Sequence, residues 1–147
     1  MAETAMTAEA GAKVPWHLWV VGIVSLLWNA AGAWTIMSAQ SGAPMDMDAT
    51  EIAYYAAQPA WLVAVVDVVL ISATLAALAL LWRSRWAPNL YTLSLAGIGL
   101  STLYELFSGT ALLLRDQGWL ILFCVTTGLA IFQLLYAVAM RKRGALR

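Results

Sequence analysis

The chain is poor in charge, cysteine and histidine. Charged residues make up 11% of it, and eight Lys and Arg balance eight Asp and Glu at a formal net charge of zero. That balance leaves no electrostatic footprint for nucleic acid, and base-stacking loops set among basic clusters are missing as well. The single cysteine, Cys124, excludes an internal disulfide, and with one histidine, His17, there is no zinc-ligand spacing. A nucleophile–base set, a metal cluster and a Gly-rich phosphate loop are all lacking, so the pattern argues against an enzyme and implies no cofactor. Residues 1–15, MAETAMTAEAGAKVP, lack the basic start of a secretory signal and read as a mobile tail rather than a cleaved leader. Lys and Arg are also missing from the interior of every long apolar run.

Apolar surface is what the chain has in abundance. Of its 147 residues 63% are hydrophobic, and the mean hydropathy is +0.78. A soluble domain this short rarely tolerates that much apolar side chain, so the class is an integral membrane protein with the lipid bilayer as its first partner. Four runs, 16–38, 59–82, 89–114 and 119–140, are each long enough to cross a hydrocarbon core of about 30 Å as a helix. Short turns join the last three runs, which predicts antiparallel neighbours. The fold class is therefore all-α, an antiparallel four-transmembrane-helix bundle.

Pro15 suits the start of the first span. Trp16 and Trp19 fit one membrane interface and Trp34 the other. The loop 39–58 holds three acids, Asp46, Asp48 and Glu51, and no Lys or Arg. Asp48 with Glu51 predicts a capping box for a short helix from 49 to about 57, lying on the membrane surface with Tyr54 and Tyr55 exposed. Residues 141–147 form a basic tail. Lys13, Arg83, Arg85, Arg141, Lys142, Arg143 and Arg147 fall on one side of the membrane and Arg115 alone on the other. The positive-inside rule then places both termini in the cytoplasm of a bacterial inner membrane, with the acidic loop in the periplasm.

The third run organises the rest. Ser94, Gly97, Ser101, Glu105 and Ser108 share one stripe of a helix whose other face is mostly Leu and Ile. Each span carries one strongly polar residue: Asn29, Asp67, Glu105 and Gln133. Depth counted from the periplasmic ends puts Asn29, Asp67 and Glu105 in one layer about 10–14 Å down, with Gln133 one to two turns lower and Thr126 nearer the layer. A carboxylate on the lipid face costs about 2.5–3.5 kcal/mol, so both acids are expected to face inward. With no intramembrane Lys or Arg to neutralise them, Asp67 and Glu105 would share a proton, Asn29 donating a hydrogen bond. The alternative is that the polar residues serve as interhelical glue.

Other candidates carry blander readings. His17 is an interfacial anchor. Met37, Met45 and Met47 beside Asp46 and Asp48 have the thioethers of a Cu(I) mouth but no His or Cys to join them. Cys124 is a small packing residue. Trp28, deep beside Asn29, either stacks on a sugar or quinone ring or fills the core.

Pro15-Trp-His-Leu-Trp19, Leu26-Leu-Trp-Asn29 with Gly32, Pro59-Ala-Trp61, Arg83-Ser-Arg85, Ser101-Thr-Leu-Tyr104 and the closing Arg143-Gly-Ala-Leu-Arg147 resemble a family of short four-span inner-membrane proteins of alphaproteobacteria, often named sugar transporters. The resemblance runs nearly the whole chain from Pro15 and implies a four-span fold. Thr35 and Ile36 stand where that family's first helix carries an acidic–aromatic pair. Glu105 stands where its members carry an uncharged amide, so the carboxyl pair is peculiar to this chain.

Two functions follow. One is a small transporter or a polar-solute or proton-binding protein, with a site of Asp67, Glu105, Asn29, Thr126, Gln133 and Trp28 open to the periplasm and a homodimer to complete the path. The other is a non-catalytic accessory or assembly subunit, packing against a larger membrane complex through small-residue faces such as Gly97-x-Gly99 and Ala30-Ala-Gly-Ala33.

Overall fold

The computed structural model describes residues 14–42, 49–109 and 117–147. The sequence-based readings of residues 1–13, of Met45, Asp46, Met47 and Asp48, and of the Arg115 turn lie outside the described residues. Five α-helices and no strand occur among the described residues: α1 (His17–Gln40), α2 (Ala49–Ala56), α3 (Ala60–Leu81), α4 (Ala87–Ser108) and α5 (Gln117–Lys142). Four of them, α1, α3, α4 and α5, are long and apolar enough to cross a membrane. The protein is an all-helical bundle of four such spans, with α2 as a short extra helix.

Helix α3 is central, packing against both α1 and α4, and α5 packs against α4. Small residues let α3 do this. Ala73, Ala76, Ala77 and Ala79 are buried along it, so neighbouring backbones come close enough for dispersion to hold them. Two glycines extend the close approach. A Cβ on Gly22 of α1 would run into Leu81 of α3, and one on Gly97 of α4 into Val69 of α3. The opposite faces are greasy and bare. Leu93, Leu100, Leu103 and Leu106 project from α4, and Leu120, Ile121, Leu122, Ile131 and Leu135 from α5. In water such a surface would be an aggregation hazard, whereas hydrocarbon wets it without cost. Trp16, Trp19, Trp82 and Trp86 stand exposed at the end that carries both termini, as the aromatic belt of one interface requires.

That end is closed by a clasp. Helix α3 stops in a Schellman turn, Ser84 N–H donating to Ala79 O at 2.7 Å and Arg83 N–H to Leu80 O at 3.0 Å, with Arg83 left-handed at φ 60°. Helix α5 stops the same way around Gly144, at φ 70°. The last residues then pair with the α3–α4 turn. Arg85 N–H donates to Arg147 O at 2.8 Å, Arg147 N–H to Arg83 O at 2.6 Å, and Arg83 Nε to Ala145 O at 3.0 Å. Ala145 and Leu146 are buried in a core with Leu18, Leu80, Tyr91 and Met140. The basic tail read from the sequence is thus helical to Lys142 and then folded against the bundle.

Helix boundaries differ from the sequence reading by two residues or fewer, except at the end of α4. Helix α4 ends at Ser108, six residues short of the expected 114, because Gly109 turns left-handed at φ 73°. Helix α1 runs to Gln40, two residues past the expected 38.

Candidate functional site

The structure brings two of the sequence-predicted site residues into contact. Asn29 Nδ2 donates to Gln133 Oε1 at 3.4 Å and reaches Ala73 O at 3.4 Å. One side chain from α1 thereby touches α5 and α3 together. Asn29 lies close to the middle of α1, between His17 and Gln40, so this node sits near the midplane of the span. Ser25, Ser94 and Gln133 are buried around it. The Tyr91 hydroxyl is buried with no well-formed hydrogen bond.

A small internal cavity of about 50 Å³ opens at the node, lined by Asn29, Tyr91, Ser94, Thr126, Gln133 and Trp28 among others. Thr126 is part of this lining, and its hydroxyl donates back to Leu122 O at 2.7 Å. Next to the cavity is a larger cleft of about 240 Å³ between α1 and α5, lined by Val20, Val21, Val24, Ser25, Trp28, Leu129, Phe132 and Gln133. Trp28, Leu129 and Gln133 line both spaces.

Asp67 and Glu105 do not join this node, and they do not join each other. Trp61 of α3 meets Tyr104 of α4 edge-on with ring centroids 5.0 Å apart, and Val69 faces Gly97. This antiparallel register sets Glu105 opposite the start of α3. Asp67 is six residues past Trp61, about 9 Å further along the axis. It also lies about 200° around α3 from Val69, on the side away from α4. The single carboxyl layer expected from the sequence is therefore corrected, as is the hydrogen bond expected from Asn29 to the acids. The cause is the early end of α4. Counted to Ser108 rather than 114, Glu105 is in the last turn and not eight residues deep.

Each acid has its own surroundings. Glu105 Oε1 accepts a 2.5 Å hydrogen bond from the Tyr54 hydroxyl, so Tyr54 is buried rather than exposed on α2 as expected. Burial first, then the Glu105 hydrogen bond and charge, push the Tyr54 phenol above its ordinary value. Tyr55 is pushed up by burial, with Glu51 and Glu105 adding to it. Asp67 Oδ1 is buried and has no hydrogen-bond partner, and so is Gln40 Nε2. Gln40 follows Gly22 by five full turns at about 3.6 residues each, so it stands on the face of α1 that meets α3.

Sequence reasoning missed Tyr54, Tyr91 and Gln40. Tyr54 was readable as an amphipathic residue able to turn inward. Gln40 was hidden by the assumption that α1 had already ended. His17 was placed at an interface, but its part in joining helices was not seen: Nδ1 lies 2.5 Å from the Tyr136 hydroxyl of α5. No group of three or more His, Cys, Asp or Glu placed to hold a metal occurs among the described residues. No family model, curated protein or solved structure matches the chain.

Proposed function

We propose that the protein is a non-catalytic accessory or assembly subunit of a larger membrane complex, set in a bacterial inner membrane with both termini cytoplasmic. The observation that carries this reading is the disposition of its polar and small residues. Inside, Asn29 donates to Gln133, Glu105 is taken by Tyr54, and the cavity at the node, about 50 Å³, reaches neither acid. Outside, Gly32, Gly99 and Gly128 have nothing within 4 Å of where a Cβ would be. Glycines that let helices approach closely are used within the bundle at 22 and 97, and these three are left for a neighbour.

Co-purification from native membranes tests it. A stoichiometric larger partner, lost when Gly99 or Gly32 is replaced by Leu while the bundle stays folded, is the expected result. Isolation of the chain alone in a mild detergent, with cross-linking before solubilisation capturing only itself, contradicts it. The transport or proton-binding reading keeps one supporting observation, the unpartnered Asp67 Oδ1 inside the span. It requires solute or proton flux in reconstituted vesicles above protein-free vesicles and lost in Asp67→Asn. The sugar-transporter name rests on the resemblance alone.

A further inference from the structure

We propose that the α1–α5 cleft binds a membrane-dissolved molecule of the quinone class, a planar ring bearing carbonyl oxygens on an apolar tail. The inference stands apart from the accessory reading. Helices α1 and α5 are joined by His17–Tyr136 near one end and Asn29–Gln133 near the midplane, and between those ties the seam stays open. Its volume, about 240 Å³, decides between classes of occupant. An apolar cavity of about 150 Å³ admits a benzene ring, so one substituted ring fits.

The walls decide the chemistry. Trp28 from α1 and Phe132 from α5 offer aromatic faces for a ring. The lining is almost wholly apolar, and an acyl chain filling it would leave the buried Gln133 amide at the inner wall without an acceptor. Gln133 has its oxygen engaged by Asn29, so what it has left to offer is its amide N–H pair. Behind it, in the adjoining cavity, the buried Tyr91 hydroxyl sits beside Ser25. A buried amide donor behind an apolar mouth calls for an uncharged acceptor, which a ring carbonyl is. No Lys or Arg lines the cleft, which disfavours a carboxylate or phosphate at that depth.

The test uses the full chain in lipid nanodiscs and a photoreactive benzoquinone with a short alkyl tail. Labelled positions are mapped by peptide mass spectrometry. Saturable labelling of residues 20–28 and 129–133 is expected, competed by the unlabelled benzoquinone and not by an alkyl alcohol of the same tail length. Gln133→Leu should weaken competition about tenfold, as loss of one buried hydrogen bond implies. Val24→Phe, a change at a position already exposed to lipid, should fill the mouth and abolish labelling with the bundle intact. Equal competition by the alcohol overturns the proposal in favour of an acyl-chain groove. Non-saturable labelling, or labelling unchanged by Val24→Phe, also overturns it. So does a self-association that Val24→Phe abolishes with no quinone competition, since the seam would then hold a second copy.

Discussion

Asn29 and Gln133 meet because each leans toward its own helix N-terminus. Helices α1 and α5 run antiparallel, so the two side chains lean toward one another and close an offset of one to two turns. The pair makes a prediction at this scale. Asn29→Leu and Gln133→Leu should each destabilise the bundle by about 0.5–1.5 kcal/mol, because each leaves a buried amide unpaired. The double replacement should cost less than the sum, read as a double-mutant cycle of unfolding in detergent. Strict additivity would mean that the 3.4 Å contact contributes nothing. Tyr54 gives a second prediction. Its phenol is raised in the folded state, so its contribution to stability is complete below the unfolded value, near 10. It is lost as pH rises through the folded value. Helix α2 should therefore stay docked through neutral pH and detach only in strong alkali, with phenolate absorbance and release coinciding. Detachment near neutrality contradicts the Tyr54–Glu105 bond. The amides and acids were legible in the sequence as residues that cannot face lipid. Their partners were not, because pairing depends on the direction of a side chain and not on depth alone.

At the scale of the element, a helix end decided what the acids could do. Gly109 was visible as a stop signal, but the apolar residues after it masked it in a reading based on hydropathy. A left-handed φ ends a helix however greasy the next residues are. Of the serine, glycine and Glu105 stripe of α4 that was legible, Ser94 is buried and Gly97 lies against Val69, whereas Ser108 at its end is exposed. The two glycines of Gly97-x-Gly99 looked equivalent in sequence and are not. Gly97→Ala should destabilise by about 1–3 kcal/mol, since the new methyl meets the stiff β-branched side chain of Val69. Gly99→Ala meets nothing and should be neutral or stabilising by up to about 1 kcal/mol through helix propensity. Thermal melts of the two variants in detergent check this. Equal losses would show that Gly99 also packs inside.

At the scale of the molecule, the four spans and their antiparallel order were legible because lipid leaves few options: apolar runs of bilayer length must be helices, and short turns make neighbours. The open α1–α5 seam was not legible, since four amphipathic stripes do not say which pair of helices packs least. Asp67 and Glu105 occupy separate places while the amides of α1 and α5 meet. Paired cysteine replacement, in a background of Cys124→Ser, measures this directly. Asn29→Cys with Gln133→Cys should cross-link readily with a short bifunctional reagent, and Asp67→Cys with Glu105→Cys should not. Efficient cross-linking of the 67–105 pair, with none at 29–133, would contradict the account and restore a shared carboxyl site.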